Sequence, residues 1–247
     1  MTNIIVNSNH INFNIEGDGD ECLVFMHGIC SDMSVWKKQV EFFANQYKVV
    51  TFDWKGHGSS RINFPETSFE MEAMARELSS ILEKLNVDNP YIIAADVSGL
   101  VALKADIDDL VRSKGIMGIN FADKMKVKTK YKAWKNLIDH VDLSMNEKLG
   151  MQACFSKIKQ ENVEAWLQAA SSVNLEHESP YISTPVDFLH AVDNPFVSLK
   201  DVEASVSRIP NSRVFSMKKG GLFPMISDPV TLNVEIKDFI ENYIPSI

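Results

Sequence analysis

One carboxylate occupies a position where backbone geometry would put it to chemical use. Asp96 follows the apolar run Tyr91-Ile92-Ile93-Ala94-Ala95 and precedes an abrupt change of pattern at Val97-Ser98-Gly99. A side chain held at the apex of a sharp strand-to-helix turn needs small residues two positions before and two after it, because the backbone is strained and the helix packs close. Around Asp96 those residues are Ala94 and Ser98. Around the neighbouring hydroxyl, Ser98, they would be Asp96 and Leu100, and Leu100 is too large. A carboxylate at such an apex can attack carbon or carry a proton. The same aspartate can also do no more than cap the helix that follows.

A base to work with it is harder to find. Of the six histidines, His27 and His57 lie in Gly-flanked turns, His190 ends an apolar run, and His10, His140 and His177 fall on surface segments. By position, His190 and His27 are the possible alternative acids or bases. Cys22, Cys30 and Cys154 are odd in number and widely spaced, which fits a reducing compartment and no metal site. Cys30 has no basic neighbour to make it a thiolate and reads as packing. No metal or other cofactor is expected.

The elements around Asp96 alternate. A hairpin over residues 4–16 ends at Gly17-Asp18-Gly19, and strands follow at Cys22–Met26, Tyr47–Phe52, Tyr91–Ala95, Ile116–Phe121, Val186–His190 and Arg213–Met217. Helical patterns separate them. One covers Val35–Ala44. Another starts near Thr67, with Glu70 as its capping-box partner and an apolar face of Met71, Met74, Ala75, Leu78, Ile81, Leu82 and Leu85. The closing helix carries Leu232, Ile236, Phe239, Ile240 and Tyr243. The fold class is α/β, with a mainly parallel sheet flanked by helices. Residues 1–123 and 185–247 form the core. Residues 124–184 form a helical lid, with Trp134, Leu137, Ile138 and Val141 on one face and Trp166, Leu167 and Ala170 on another.

Four segments, in this order, resemble the α/β-hydrolase family. They are His27-Gly28-Ile29-Cys30 after a strand, Asp53-Trp54-Lys55-Gly56-His57-Gly58-Ser59-Ser60, the Asp96 turn, and Gly221-Leu222-Phe223-Pro224-Met225-Ile226-Ser227-Asp228-Pro229. The resemblance implies that Asp96 holds the nucleophile position, as in haloalkane dehalogenases and epoxide hydrolases, and that the N–H groups of Ile29 and Val97 form an oxyanion hole. It also exposes departures. Val97 stands where those families place Trp, and Cys30 where they tend to have Pro. Leu222 stands where the family has its catalytic His, and no histidine follows His190. Asn194 stands at the acid position, so both triad partners are degenerate. Asp193 is adjacent but is expected to point elsewhere, and Asp123 is the alternative acid position used by some relatives.

Three readings remain open. In the first, Asp96 is a general acid or base beside a retained oxyanion hole, in lyase, cyclase, dehydratase or isomerase chemistry on a small carbonyl compound. In the second, the chain is a non-catalytic, ligand-binding pseudo-hydrolase. In the third, it is a hydrolase with an Asp nucleophile and an unusual base. All three imply a small-molecule partner. A net charge of −8 argues against nucleic acid and anionic membrane. No stretch is long and apolar enough to span a bilayer, no signal peptide is visible, and a cytoplasmic location is expected. Oligomeric state is not legible.

Overall fold

The computed structural model describes residues 2–63, 68–125, 136 and 143–242. Their sheet has eight strands: β1 (Thr2–Val6), β2 (Asn9–Glu16), β3 (Cys22–Met26), β4 (Lys48–Phe52), β5 (Tyr91–Ala95), β6 (Gly115–Ile119), β7 (Val186–Ala191) and β8 (Ser212–Met217). The spatial order is β1-β2-β4-β3-β5-β6-β7-β8. β1 and β2 pair antiparallel, as do β2 and β4, and every pair from β4 to β8 is parallel. The central strands are continuous apolar runs because helices cover both faces of a parallel sheet.

The chain reverses its direction of travel across the sheet after β4. β5 therefore lies beside β3, and their C-terminal ends, carrying Gly28-Ile29 and Asp96, come together. Such a switch point is where open α/β sheets build their sites. Helix α1 (Lys37–Phe43) follows a 3₁₀ turn at Met33–Trp36, so the helical pattern read over Val35–Ala44 is two elements. Helix α2 (Met71–Lys84) starts at Met71 with no side-chain cap, later than the expected start near Thr67, which lies outside the described residues. Helix α3 (Val97–Ile107) begins directly after Asp96 and is buried on nearly all sides. Its tight seat needs Gly99, where an added Cβ would fall 2.5 Å from the Phe121 ring.

Between β6 and β7 run α4 (Met145–Ser156) and α5 (Gln160–Ser172). Trp166 and Leu167 of α5 are buried as expected. The expected face of Trp134, Leu137, Ile138 and Val141 lies outside the described residues, as do His140 and Tyr243. Helices α6 (Leu199–Val206), α7 (Pro224–Ser227) and α8 (Pro229–Asn242) complete the fold.

β6 ends at Ile119, two residues earlier than its apolar run, and this releases Asn120-Phe121-Ala122-Asp123 into a connection with structural duties. Asp123 is fully buried and accepts from Arg208 Nε at 2.7 Å, Arg208 Nη2 at 2.6 Å, and the hydroxyls of Ser179 and Ser205 at 2.9 Å each. It clamps the segment after α5 and the end of α6 to the sheet. Removing one partner of a buried, hydrogen-bonded ion pair strands the other. Asp123→Ala should therefore lower unfolding free energy by about 3–5 kcal/mol in denaturant titrations. A loss within ~0.5 kcal/mol would show that the clamp is dispensable.

Candidate active site

Asp96 stands on a turn that few residues tolerate. Its backbone lies at φ 42°, ψ −118°, between the end of β5 and the first turn of α3. A non-glycine residue in such a region stores about 1–3 kcal/mol and persists only where its surroundings over-determine it. Here Asp96 N–H donates to Ile119 O at 2.8 Å, and Asp96 O accepts from Gly99 N at 2.9 Å. Ser98 adds a tie, donating from Oγ to His27 O at 2.6 Å and accepting from Trp54 Nε1 at 2.8 Å. Ser98 is thus fixed by backbone and indole and does not compete with Asp96 as the presented side chain.

The carboxyl group is bound by its own turn. Oδ1 accepts from Ile29 N–H at 3.0 Å and from the N–H of Val97. These are the two N–H groups that the resemblance assigns to an oxyanion hole, and they converge on Asp96 itself. The first reading relied on a hole open to substrate, and in this arrangement both donors are taken. Among the described residues no hydrogen bond reaches Oδ2. The space for Oδ2 comes from Gly28: a Cβ built there would lie 1.8 Å from that oxygen. The residue is only 7% exposed. Burial pushes the carboxyl up to about 7, while the N–H bonds from Ile29 and Val97 hold it partly back. The Cys30 thiol is driven well above its ordinary value by burial and by the nearby Asp96 charge, so it is not a thiolate.

The other expected site residues are placed apart from this carboxyl, and the structure explains why. His27 is buried, with Nε2 accepting the N–H of Trp54 at 3.0 Å and Nδ1 2.8 Å from Gly28 O. An amide N–H can only donate and a carbonyl can only accept, so His27 is the neutral Nδ1–H tautomer with both nitrogens engaged. Burial lowers its basicity further. The expectation that His27 could act as acid or base is corrected on these grounds. Asp123 is corrected likewise, because its oxygens serve Arg208 and the two serines.

His190 ends up two strands from Asp96. Ala95, Ile119 and Leu189 are in register, and Asp96 and His190 each follow by one residue. Two inter-strand spacings separate their backbones by about 10 Å. His190 is buried and held neutral by burial, with Asp193 the charge that opposes this. Among the described residues its Nδ1 finds no partner.

Asn194 caps the following turn, accepting the N–H groups of Phe196 and Val197 at 2.9 Å each. Asp193 accepts Gly221 N–H at 2.8 Å and so holds the loop that carries Leu222. Leu222 is buried.

Two residues carry more than their sequence context shows. Asn120 donates to Gly221 O at 3.0 Å and accepts from Ala191 N at 2.9 Å, pinning that loop to β7. It is hidden inside what reads as a strand. Asp53 accepts from Asn12 Nδ2, Met33 N and Ser59 N at 2.8 Å each and so ties three connections together. Its signal is the Asp-x-x-Gly-x-Gly-x-Ser turn itself, whose aspartate is structural here. Among the described residues no His, Cys, Asp or Glu cluster could hold a metal ion, and no helix is long and apolar enough to cross a membrane.

Strand order, switch point and strained turn together define the architecture. The chain has the α/β-hydrolase fold. Residues 21–113 match the family model of that description. The fold superimposes on that of the enol-lactonase from Burkholderia xenovorans LB400 with a TM-score of 0.86 at 15% identity, covering 97% of this chain and 99% of that one. Strigolactone esterase RMS3 of Pisum sativum is 31% identical over 100 residues, which are 39% of this chain and 37% of the esterase. The match thus spans well under half of that relative. The putative carbamate hydrolase RutD of Pantoea ananatis is 22% identical over 246 residues, covering 90% of this chain and 88% of that protein.

The buried carboxyl makes stability depend on pH. Its folded value of about 7 lies above the ordinary 3.8. Between those values the folded chain keeps a proton that the unfolded chain has released, so this contribution is complete below about pH 4 and is lost as pH rises toward 7. Asp96→Asn keeps an acceptor for both N–H groups and has nothing to ionise. In urea titrations it should exceed the wild type at pH 8, by up to about 4 kcal/mol, and the gap should close by pH 4. A pH-independent difference would show that Asp96 is not held protonated.

Proposed function

We propose that this α/β-hydrolase-fold chain acts on a small electrophilic molecule through Asp96, with Oδ2 as the attacking atom. The observation that carries the reading is the division of labour within one carboxyl group. Oδ1 is anchored by two backbone N–H groups, and Oδ2 is left with no hydrogen bond among the described residues. The anchored oxygen fixes the plane of the group, and the other keeps its lone pairs uncommitted.

Attack by Oδ2 on an epoxide carbon breaks the ring C–O bond and forms an ester. The ring oxygen leaves as an alkoxide and takes a proton from water. Water adding to Cγ would then place negative charge on Oδ1, where the N–H pair already points. That second step also needs a base. Leu222 supplies none, Asn194 is a cap, His27 has no free nitrogen and His190 stands two strands away, so hydrolysis of the ester is slow and the adduct accumulates. Residues 124–184 act as the lid over this end of the sheet, and the setting is the cytoplasm.

A carboxyl with a value near 7 also favours a second reading, in which Asp96 passes a proton to or from a carbonyl compound. That reading requires the carboxylate to leave the N–H pair first, because a substrate oxygen and Oδ1 cannot share it.

Incubation with a small epoxide, followed by intact-protein mass spectrometry, separates the possibilities. The expected result is a gain of one epoxide mass, mapping to Asp96 and absent from Asp96→Asn. Its rate should rise about tenfold per pH unit below 7 and level off above. Turnover of a carbonyl compound that depends on Asp96 without any adduct would support the proton-transfer reading. If neither occurs across a broad panel and ligands still bind, the chain is a binding protein.

A further inference from the structure

A cavity of about 190 Å³ opens between the 3₁₀ turn at Met33–Trp36, the middle of α4 and the short helix α7. Its walls are Val35, Met151, Cys154, Met225 and Ile226, mostly buried residues with apolar surfaces. Charge in the lining comes from the solvent-exposed Lys37 and from Lys38, which pairs with Glu147 at 3.6 Å, and this marks the mouth.

At the same mouth stands Gly150, inside α4. A glycine in a helix interior disfavours the helix by about 1 kcal/mol relative to alanine. Here nothing in the fold requires it, since a Cβ at Gly150 would meet no atom within 4 Å. Its place in the lining leaves the rim without a side chain at that point.

We propose that this cavity is a binding site for a single six-membered aromatic ring or a six-carbon alkyl group, with the ligand's polar end left at the charged rim. Size limits the class, because an apolar space of about 150 Å³ already holds one benzene ring, and this cavity, open on one side, leaves the rest of a ligand in solvent. The two methionines suit it as well, since unbranched thioether side chains adapt their shape and contact ring edges favourably. Cys154 contributes only surface, because burial raises its thiol to about 12. The site is separate from Asp96 and holds whichever chemistry that residue performs. Two of its walls nonetheless continue from the segments that carry Ile29 and Leu222, so an occupant would press on the loops framing the Asp96 turn.

Benzyl alcohol and hexanoate are the probes, titrated into the full chain with ¹³C-methyl-methionine labelling. Of eleven methionine methyls, those of Met151 and Met225 should shift most, and saturably, both in wild type and in Asp96→Asn, which keeps an acceptor for the two N–H groups. Gly150→Leu at the mouth and Ile226→Trp on the wall should each weaken binding at least tenfold. Gly150→Ala, which meets no atom, should raise the melting temperature by a few degrees. The proposal is overturned if no saturable shift occurs, if the strongest shifts fall on other methionines, or if both blocking variants fold and bind as the wild type does. Should either variant fail to fold, the methyl shifts of the wild type decide alone. Binding of benzyl alcohol but not hexanoate identifies a neutral polar end, and the reverse identifies an anionic one; both outcomes support the site.

Discussion

Two amide N–H groups from different parts of the chain meet on one carboxylate oxygen. Ile29 comes from the loop after β3 and Val97 from the first turn of α3, and Asp96 Oδ1 accepts from both. This contact fixes the spacing between two neighbouring strand ends. Much of the surrounding structure follows from it. Gly28 must lack a Cβ because Oδ2 fills that space. Asp96 must hold its strained backbone because only from there does the side chain reach back to Ile29. His27 must remain neutral because its nitrogens support the turns on either side. Charged carboxylate is penalised by burial and favoured by the two N–H groups, and the balance leaves the group titrating near neutrality.

The environment therefore does to Asp96 what a histidine would do differently. An imidazolium nearby would hold the carboxylate ionised by attraction. Here burial and the N–H pair are the causes that act on it, so ionisation is optional over an ordinary range of pH. The protonated form can still accept both N–H bonds through Oδ1 and place its proton on Oδ2. The two states thus differ in charge at Oδ2 and little in position.

How much of this could be read beforehand depends on the kind of interaction. The strands from Cys22 to Ala95 were legible because a parallel sheet covered on both faces demands continuous apolar runs, and β3 and β5 begin and end where those runs do. The turn at Asp96 was legible because steric limits act on immediate neighbours, Ala94 and Ser98. The boundary of β6 was not, since Asn120 and Phe121 look like strand but leave it to serve contacts formed only in three dimensions. The same is true of Asp123, whose partners lie 56 to 85 positions away. The use of the N–H pair by the aspartate itself was not legible either. Sequence names the donors and the carboxyl separately, and only geometry shows that they satisfy each other.

The reversal of strand order carries a consequence for how the chain assembles. Sixty-seven positions separate Ile29 from Asp96, and β4 lies outside β3 rather than between the two. The pair of N–H donors cannot exist until β5 has docked on β3, after the whole β4 excursion has been looped out and back. Closing so long a loop is an entropic debt that must be met before its contacts return anything. The strained turn therefore depends on a long-range pairing, and any state in which β3 and β5 are apart lacks the Asp96 arrangement. The titration of that one carboxyl would serve as a sensitive record of whether the sheet has closed around it.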